Sequence, residues 1–150
     1  MPGMSEPTPA SSRLRLVDLR ETPLQVDEVV AALDDDASGG LTLFVGRVRD
    51  HDQGQGVVGL DYSAHPSALE KLREVCERVA SEFDVHGVAA VHRVGTLHIG
   101  DLAVVVATTS AHRGTSFDAS RRLIDTLKAE VPIWKHQRFT DGSEEWVGSP

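Results

Sequence analysis

Apolar and polar residues change their spacing several times along this 150-residue chain, and each change marks an element. Residues 13–20 (RLRLVDLR) alternate, with Leu14, Leu16, Val17 and Leu19 apolar, which predicts a first strand. Thr22, Pro23 and Gln25 then have the spacing of a capping box with proline at the first helical position. Val26, Val29, Val30 and Leu33 continue as one helical apolar stripe, which the run Asp34-Asp35-Asp36 and the pair Gly39-Gly40 end. Leu41 to Arg49 predicts a buried strand, DHDQGQG a loop, and Val57 to Ala64 the next strand. Pro66 opens a second helix, with Leu69, Leu72, Cys76, Val79 and Phe83 at helical spacing. Strands at 85–94 and 102–108 flank a loop, GTLHIG. Thr115 is the expected N-cap of a third helix reaching Glu130, with Phe117, Ile124 and Leu127 inward and Pro132 past its end. The last segment alternates around Asp141-Gly142, a hairpin signal. Strands and helices without regular alternation favour an α+β fold, a single domain with a mixed or antiparallel sheet, about three helices and a C-terminal hairpin.

The first dozen residues, MPGMSEPTPASS, break the pattern: they are rich in Pro and Ser, and residues 1–12 are expected to be a disordered tail before a domain over 13–150. They carry neither the basic start nor the apolar stretch of a signal peptide, and no apolar run has the ~18 residues needed to span a bilayer. The expectation is a cytoplasmic protein. With 40% apolar residues the chain is long enough to bury a core without staples, and its single cysteine, Cys76, forms no internal disulfide.

Charge sharpens this outline. The chain carries net −8, which argues against nucleic acid or an anionic membrane as partner. From Thr109 to Thr140, however, six basic residues face three acidic ones, a net +3 that leaves −11 for the rest. A cationic segment in an acidic protein suits a small anion better than a polymer.

Several cations have suggestive positions. Arg47 and Arg49, two apart on a strand, share a face and either grip one anionic group or stand as solvated charges. His112 and Arg113 precede a helix whose free N–H groups favour a phosphate, and Gly114 would let a ligand approach; an ordinary capped loop explains them equally well. Lys128, near a helix C-terminus, is favoured there by the dipole alone, while Pro132 rigidly links it to Lys135, so the two amines either converge on one pocket or remain surface lysines. Seven scattered histidines show no HxH, HxxxH or HExxH spacing, so no metal site is expected, and a metal-dependent hydrolase finds no support. Cys76 falls on an apolar helix face, as a buried inert thiol does. GxSxG and Walker A motifs are missing from the sequence.

Taken together, GGLTLFVGRVRDH (39–51), VVGLDYSAHPSALEKL (57–72), the stretch from VHRVGTLHIGD through AHR to LKAEVPIWKHQ (91–137) and the terminal EEWV resemble the MoaE family, the large catalytic subunit of molybdopterin synthase. The resemblance implies an α/β-hammerhead-like fold and a sulfurtransferase. Sulfur would pass from the C-terminal thiocarboxylate of a small ubiquitin-like subunit ending in Gly-Gly to cyclic pyranopterin monophosphate, forming the dithiolene of molybdopterin for the molybdenum cofactor. It implies a homodimer of large subunits within a heterotetramer, and no cofactor beyond the substrate. The family's catalytic lysines fall on Lys128 and Lys135, and its substrate-binding positions on Arg47, Val48, Arg49, His112, Arg113, Lys128, Lys135, His136 and Gln137. A lone, buried cysteine fits a sulfur-transfer enzyme whose partner brings the sulfur. His136-Gln137 stands where many relatives have a basic residue and then an acid, and Glu145 where a basic residue is common; the loss of cations there weakens anion binding modestly, since an exposed charge pair is worth ~0.2–1 kcal/mol. The alternative is a catalytically silent paralogue that binds a phosphorylated ligand or a ubiquitin-like tail.

Overall fold

A computed structural model of the protein describes residues 9–148. After a 3-10 turn at Ala10–Arg13 come β1 (Leu14–Arg20), α1 (Val26–Ala32), β2 (Gly40–Arg47), β3 (His51–Asp52), β4 (Gln55–Ala64) and α2 (Ala68–Glu82). Then follow β5 (Gly87–Arg93), β6 (Gly95–His98), β7 (Leu102–Ser110), α3 (Arg113–Glu130), β8 (Ile133–Phe139) and β9 (Glu144–Val147). The α+β architecture with three helices and a C-terminal hairpin agrees with the expectation.

The first sheet runs β1-β5-β7-β2, with β1 parallel to β5 and the other pairs antiparallel. Its central strands are covered on both faces. Val88, Ala90, Val104 and Val106 pack under Leu72, Cys76 and Val79 of α2 and Leu123 and Leu127 of α3, while Ala89, Val91, Val105 and Ala107 pack under Val29 and Leu33 beside α1. Burial of both faces explains why these strands read as unbroken apolar runs.

The second sheet centres on β4, which pairs with β8 along one edge and β6 along the other; β9 extends it beyond β8, and β3 folds back on the start of β4. Its link to the first sheet is abrupt. β5 ends at Arg93 and β6 begins at Gly95, whose φ of 89° lets the chain leave one sheet and enter the other within two residues. The expected loop GTLHIG therefore contains a strand, β6, whose Leu97 is fully buried with Val48, Leu60 and Ala103. Its glycines mimic a turn because its pairing partner is distant in sequence.

Other expectations are corrected. The Thr22-Pro23-Gln25 capping box does not form: α1 starts at Val26 with Gln25 as an extended cap that makes no side-chain cap bond. The segment before it carries Leu24 to 7% exposure in the core beside α1, and that burial outweighs a cap worth ~1 kcal/mol. Val30 of the same stripe is 41% exposed. Thr115 is not the cap of α3, which starts at Arg113 after His112, and Phe117 faces outward at 57% exposure. The inward face there is Ser116, Ala119, Ser120, Leu123 and Leu127. Pro66 lies in a turn just ahead of α2. Within the expected disordered tail, residues 1–8 lie outside the described residues, whereas Ala10 packs against the core beneath α2. Among the described residues no helix is long and apolar enough to cross a membrane.

Candidate active site

The pocket grows from strand register. Lys135 on β8 stands opposite Tyr62 of β4 and Val147 of β9, and Gln137 stands opposite Leu60. Two-residue alternation then puts Leu60, Tyr62, Lys135, Gln137 and Val147 on one face of the second sheet, and Asp61, His136 and Trp146 on the other. Across the gap, β5 presents His92 on the face it shares with Val88 and Ala90, beneath the last turn of α3, where Leu127 and Lys128 lie. The result is a cavity of about 190 Å³ lined by Tyr62, His92, Leu127, Lys128, Lys135 and Val147, among others.

A second, smaller cavity of about 50 Å³ adjoins it, with Tyr62 and Lys135 in both linings. Arg47, Val48, Arg49 and Gln137 complete much of its wall; the two arginines share a cavity but not a strand face, because β2 shifts register at Gly46/Arg47 and ends at Arg47, leaving Arg49 in the loop beyond it. Val48 is there a buried wall residue, 5% exposed, with its N–H donating to the Asp101 carbonyl. Gln137 donates through Nε2 to Asp52 at 2.8 Å, and Arg49 lies 3.6 Å from the same carboxylate. That bond from Gln137, reinforced by Lys135 and Arg49, lowers the Asp52 pKa.

Two expected groups stand elsewhere. His136 points to the opposite sheet face, stacked on Trp146 at 4.4 Å between ring centres with its Nε2 3.6 Å from Glu144. His112 and Arg113 open α3 fifteen residues before Lys128, ~22 Å away along the helix. They are exposed, held by the Ser110 hydroxyl donating to the His112 carbonyl at 2.6 Å and by close packing on Gly40. Within one chain, Arg47, Arg49, Lys128 and Lys135 gather at the joined cavities, and His112-Arg113 does not.

The electrostatics follow from these positions. Lys128 stands exposed at the rim, yet desolvation by the surrounding walls and then the like charge of Lys135 lower its pKa from the usual lysine value. His92 is 2% exposed; burial pushes its pKa down to about 4, with Lys128 acting in the same direction. Its Nδ1 meets the Arg93 carbonyl at 2.6 Å and its ring meets Tyr62 edge-on at 4.9 Å. Burial also raises the Tyr62 pKa. His92 and Tyr62 were not foreseen from the sequence; the signal that marks His92 is a lone histidine ending the apolar run of β5. Cys76 is fully buried under α2, its thiol pushed up to about 12 by desolvation, as the apolar helix face implied.

Cavity size alone does not pick this place. A larger cavity, about 520 Å³, lies near Arg15, Asp35 and His86, but Arg15 is 3.6 Å from Asp35 and His86 Nδ1 is 2.7 Å from the Ser38 hydroxyl. Among the described residues no three His, Cys, Asp or Glu side chains are grouped as metal ligands would be.

Known proteins share this arrangement of chain. The molybdopterin synthase catalytic subunit 1 of Mycobacterium tuberculosis is 44% identical over 131 residues, covering 87% of this chain and 88% of that one. A chain of the molybdopterin synthase crystal structure from Staphylococcus aureus superposes with a TM-score of 0.81 at 29% identity, covering 89% of this chain and 97% of that one. A chain of the complex of subunits 1 and 2 of molybdopterin-converting factor from Helicobacter pylori has the same fold, with a TM-score of 0.67 at 20% identity over 91% and 93% of the two chains. The family model described as MoaE protein matches residues 19–130, and the chain belongs to that family.

Proposed function

We propose that this chain is the catalytic subunit of a molybdopterin synthase, a cytoplasmic sulfurtransferase acting on cyclic pyranopterin monophosphate. The observation that carries the proposal is the pair of lysines in one narrow cavity beside an arginine-lined one. The larger cavity suits the thin end of a polypeptide, and a Gly-Gly tail is the thinnest; the smaller, with Arg47 and Arg49, suits the substrate's anionic group. A tail thiocarboxylate entering between Lys128 and Lys135 meets cations where negative charge develops. Its sulfur adds to a substrate carbonyl carbon, whose oxygen is protonated and leaves as water; a second water attacks the acyl carbon and breaks its C–S bond, so the tail leaves as a carboxylate and the sulfur stays on the substrate. Desolvation and the charge of Lys135 lower the Lys128 pKa, which eases proton exchange by its amine.

The same proposal gives His112 and Arg113 a place. They lie beside an edge strand, β2, near the exposed apolar side chains of Phe44 and Phe117, which line one shallow cavity. A dimer closing over that patch would carry one copy's His112-Arg113 toward the other copy's lysine pocket, with a small sulfur-carrier subunit at each end of a heterotetramer. No cofactor takes part beyond the substrate.

The test mixes the protein with a thiocarboxylated small subunit and cyclic pyranopterin monophosphate and follows molybdopterin as its fluorescent oxidised derivative. Product is expected, with Lys128→Ala and Lys135→Ala each lowering the rate by at least ~10²-fold, the scale of losing one charge-stabilising group. No product, or unchanged rates in both variants, overturns the proposal.

A further inference from the structure

Lys128 is exposed at the rim of its cavity, and a free lysine side chain there has many rotamers to choose from. An acceptor inside the cavity would draw it inward. The cavity's other polar linings are Lys135, which repels it, the Tyr62 hydroxyl, and His92. Arg93, next to His92, turns its guanidinium to the Val94 and Thr96 carbonyls, at 3.2 Å each, and leaves only its backbone carbonyl to the ring.

We propose that His92 is a positioning residue for Lys128: its ring is fixed through Nδ1–H to the Arg93 carbonyl, so that Nε2 is a neutral acceptor for the Lys128 ammonium inside the cavity. A carbonyl accepts only, so the 2.6 Å contact makes Nδ1 the protonated nitrogen. Nε2 then keeps its lone pair and is the ring's remaining polar atom for the cavity that His92 lines. The edge-on contact with Tyr62 holds the ring plane, and the β5 backbone holds its position. Neutrality matters here, because a charged ring would repel both lysines. Burial keeps the ring neutral at physiological pH. The groups facing the pair are Tyr62 from β4, Lys135 from β8 and Lys128 itself from α3.

The inference rests on Lys128 being the working amine of the proposed function, so its test reads the amine directly and needs no substrate. Reductive methylation with ¹³C-formaldehyde places a label on Lys128, assigned with Lys128→Arg, and its carbon shift is followed against pH. A neutral acceptor favours the charged amine. His92→Phe, which keeps a ring and loses the acceptor, is therefore expected to lower the Lys128 midpoint by roughly half to one pH unit, and His92→Gln to restore most of it. Midpoints equal within the error of the fit in all three proteins overturn the proposal. Should His92→Phe not fold, ¹⁵N shifts of the wild-type ring decide: a neutral Nδ1–H tautomer from pH 6 to 8 is expected, and a charged ring or an Nε2–H tautomer overturns it. Failed sulfur transfer with an intact Lys128–His92 coupling would count against the proposed function alone.

Discussion

At the residue scale, the pocket works through differences between groups of one kind. Two lysines share a cavity, and the charge of Lys135 adds to desolvation in lowering the Lys128 pKa. Lys135→Ala should therefore raise the Lys128 midpoint, a shift visible in the same ¹³C titration. His92 gives a second pH signature. An unfolded histidine takes up a proton below ~6.5, whereas the folded ring resists until about 4. The unfolded state then binds more protons, so this contribution to stability is complete above pH 6.5 and is lost as pH falls towards 4. The loss amounts to about 3 kcal/mol for a group this deeply buried. Urea unfolding at pH 7 and pH 4.5 should show less acid destabilisation in His92→Gln than in the wild type. Neither residue pair was equally legible in the sequence. The lysines stand out because Pro132 links them, whereas His92 and Tyr62 gain their meaning only from the sheet register and the crossing of β5 under α3.

At the scale of elements, the misjudged segments share a physical cause: small or polar residues doing the packing. The first half of α3 is joined to β2 and β7 through hydroxyls. Thr42 meets Ser116 at 2.8 Å, Thr108 meets Ser120 at 2.9 Å, and Ser120 donates to the Thr42 carbonyl at 2.8 Å. A hydrophobic pattern cannot see such a face, which is why Phe117 looked like the inward residue. α2, with apolar residues at every inward turn, is legible throughout, as are β1, β4 and β7; β2, expected as a buried strand over Leu41–Arg49, is instead an edge strand over Gly40–Arg47 with Leu41 and Phe44 exposed. Glycines divide in the same way. A Cβ on Gly40 would lie 2.9 Å from the Arg113 Cα, whereas one on Gly114 meets nothing within 4 Å. Gly40→Ala is expected to cost ~1–3 kcal/mol by pushing the start of α3 off the sheet. Gly114→Ala, within a helix, should instead gain ~0.5–1 kcal/mol. Thermal or urea unfolding of the two variants checks the contrast.

At the scale of the whole molecule, two sheets and one long helix divide the labour. The joined cavities lie where the second sheet meets the end of α3, and the cationic His112-Arg113 pair lies at the helix's other end. If the pair serves a neighbouring copy, a variant lacking both His112 and Arg113 and a variant lacking Lys128 and Lys135 should each be inactive. Mixed after reversible dissociation, they should recover up to a quarter of wild-type activity, because a statistical mixture is half heterodimer and each heterodimer keeps one intact site. No recovery from a verified mixture would separate the pair from the lysine site.

The burial of Cys76 has a practical outcome. It is the chain's single thiol, it lies under α2 at the centre of the main core, and it has no exposed surface. A thiol reagent therefore reaches it only when that core opens. Cys76 is thus a native reporter of unfolding, whose labelling rate under native conditions measures how often α2 leaves the sheet. In a mixture with other proteins the same reagent spares the folded chain, so any label it leaves under native conditions reports exposed thiols elsewhere.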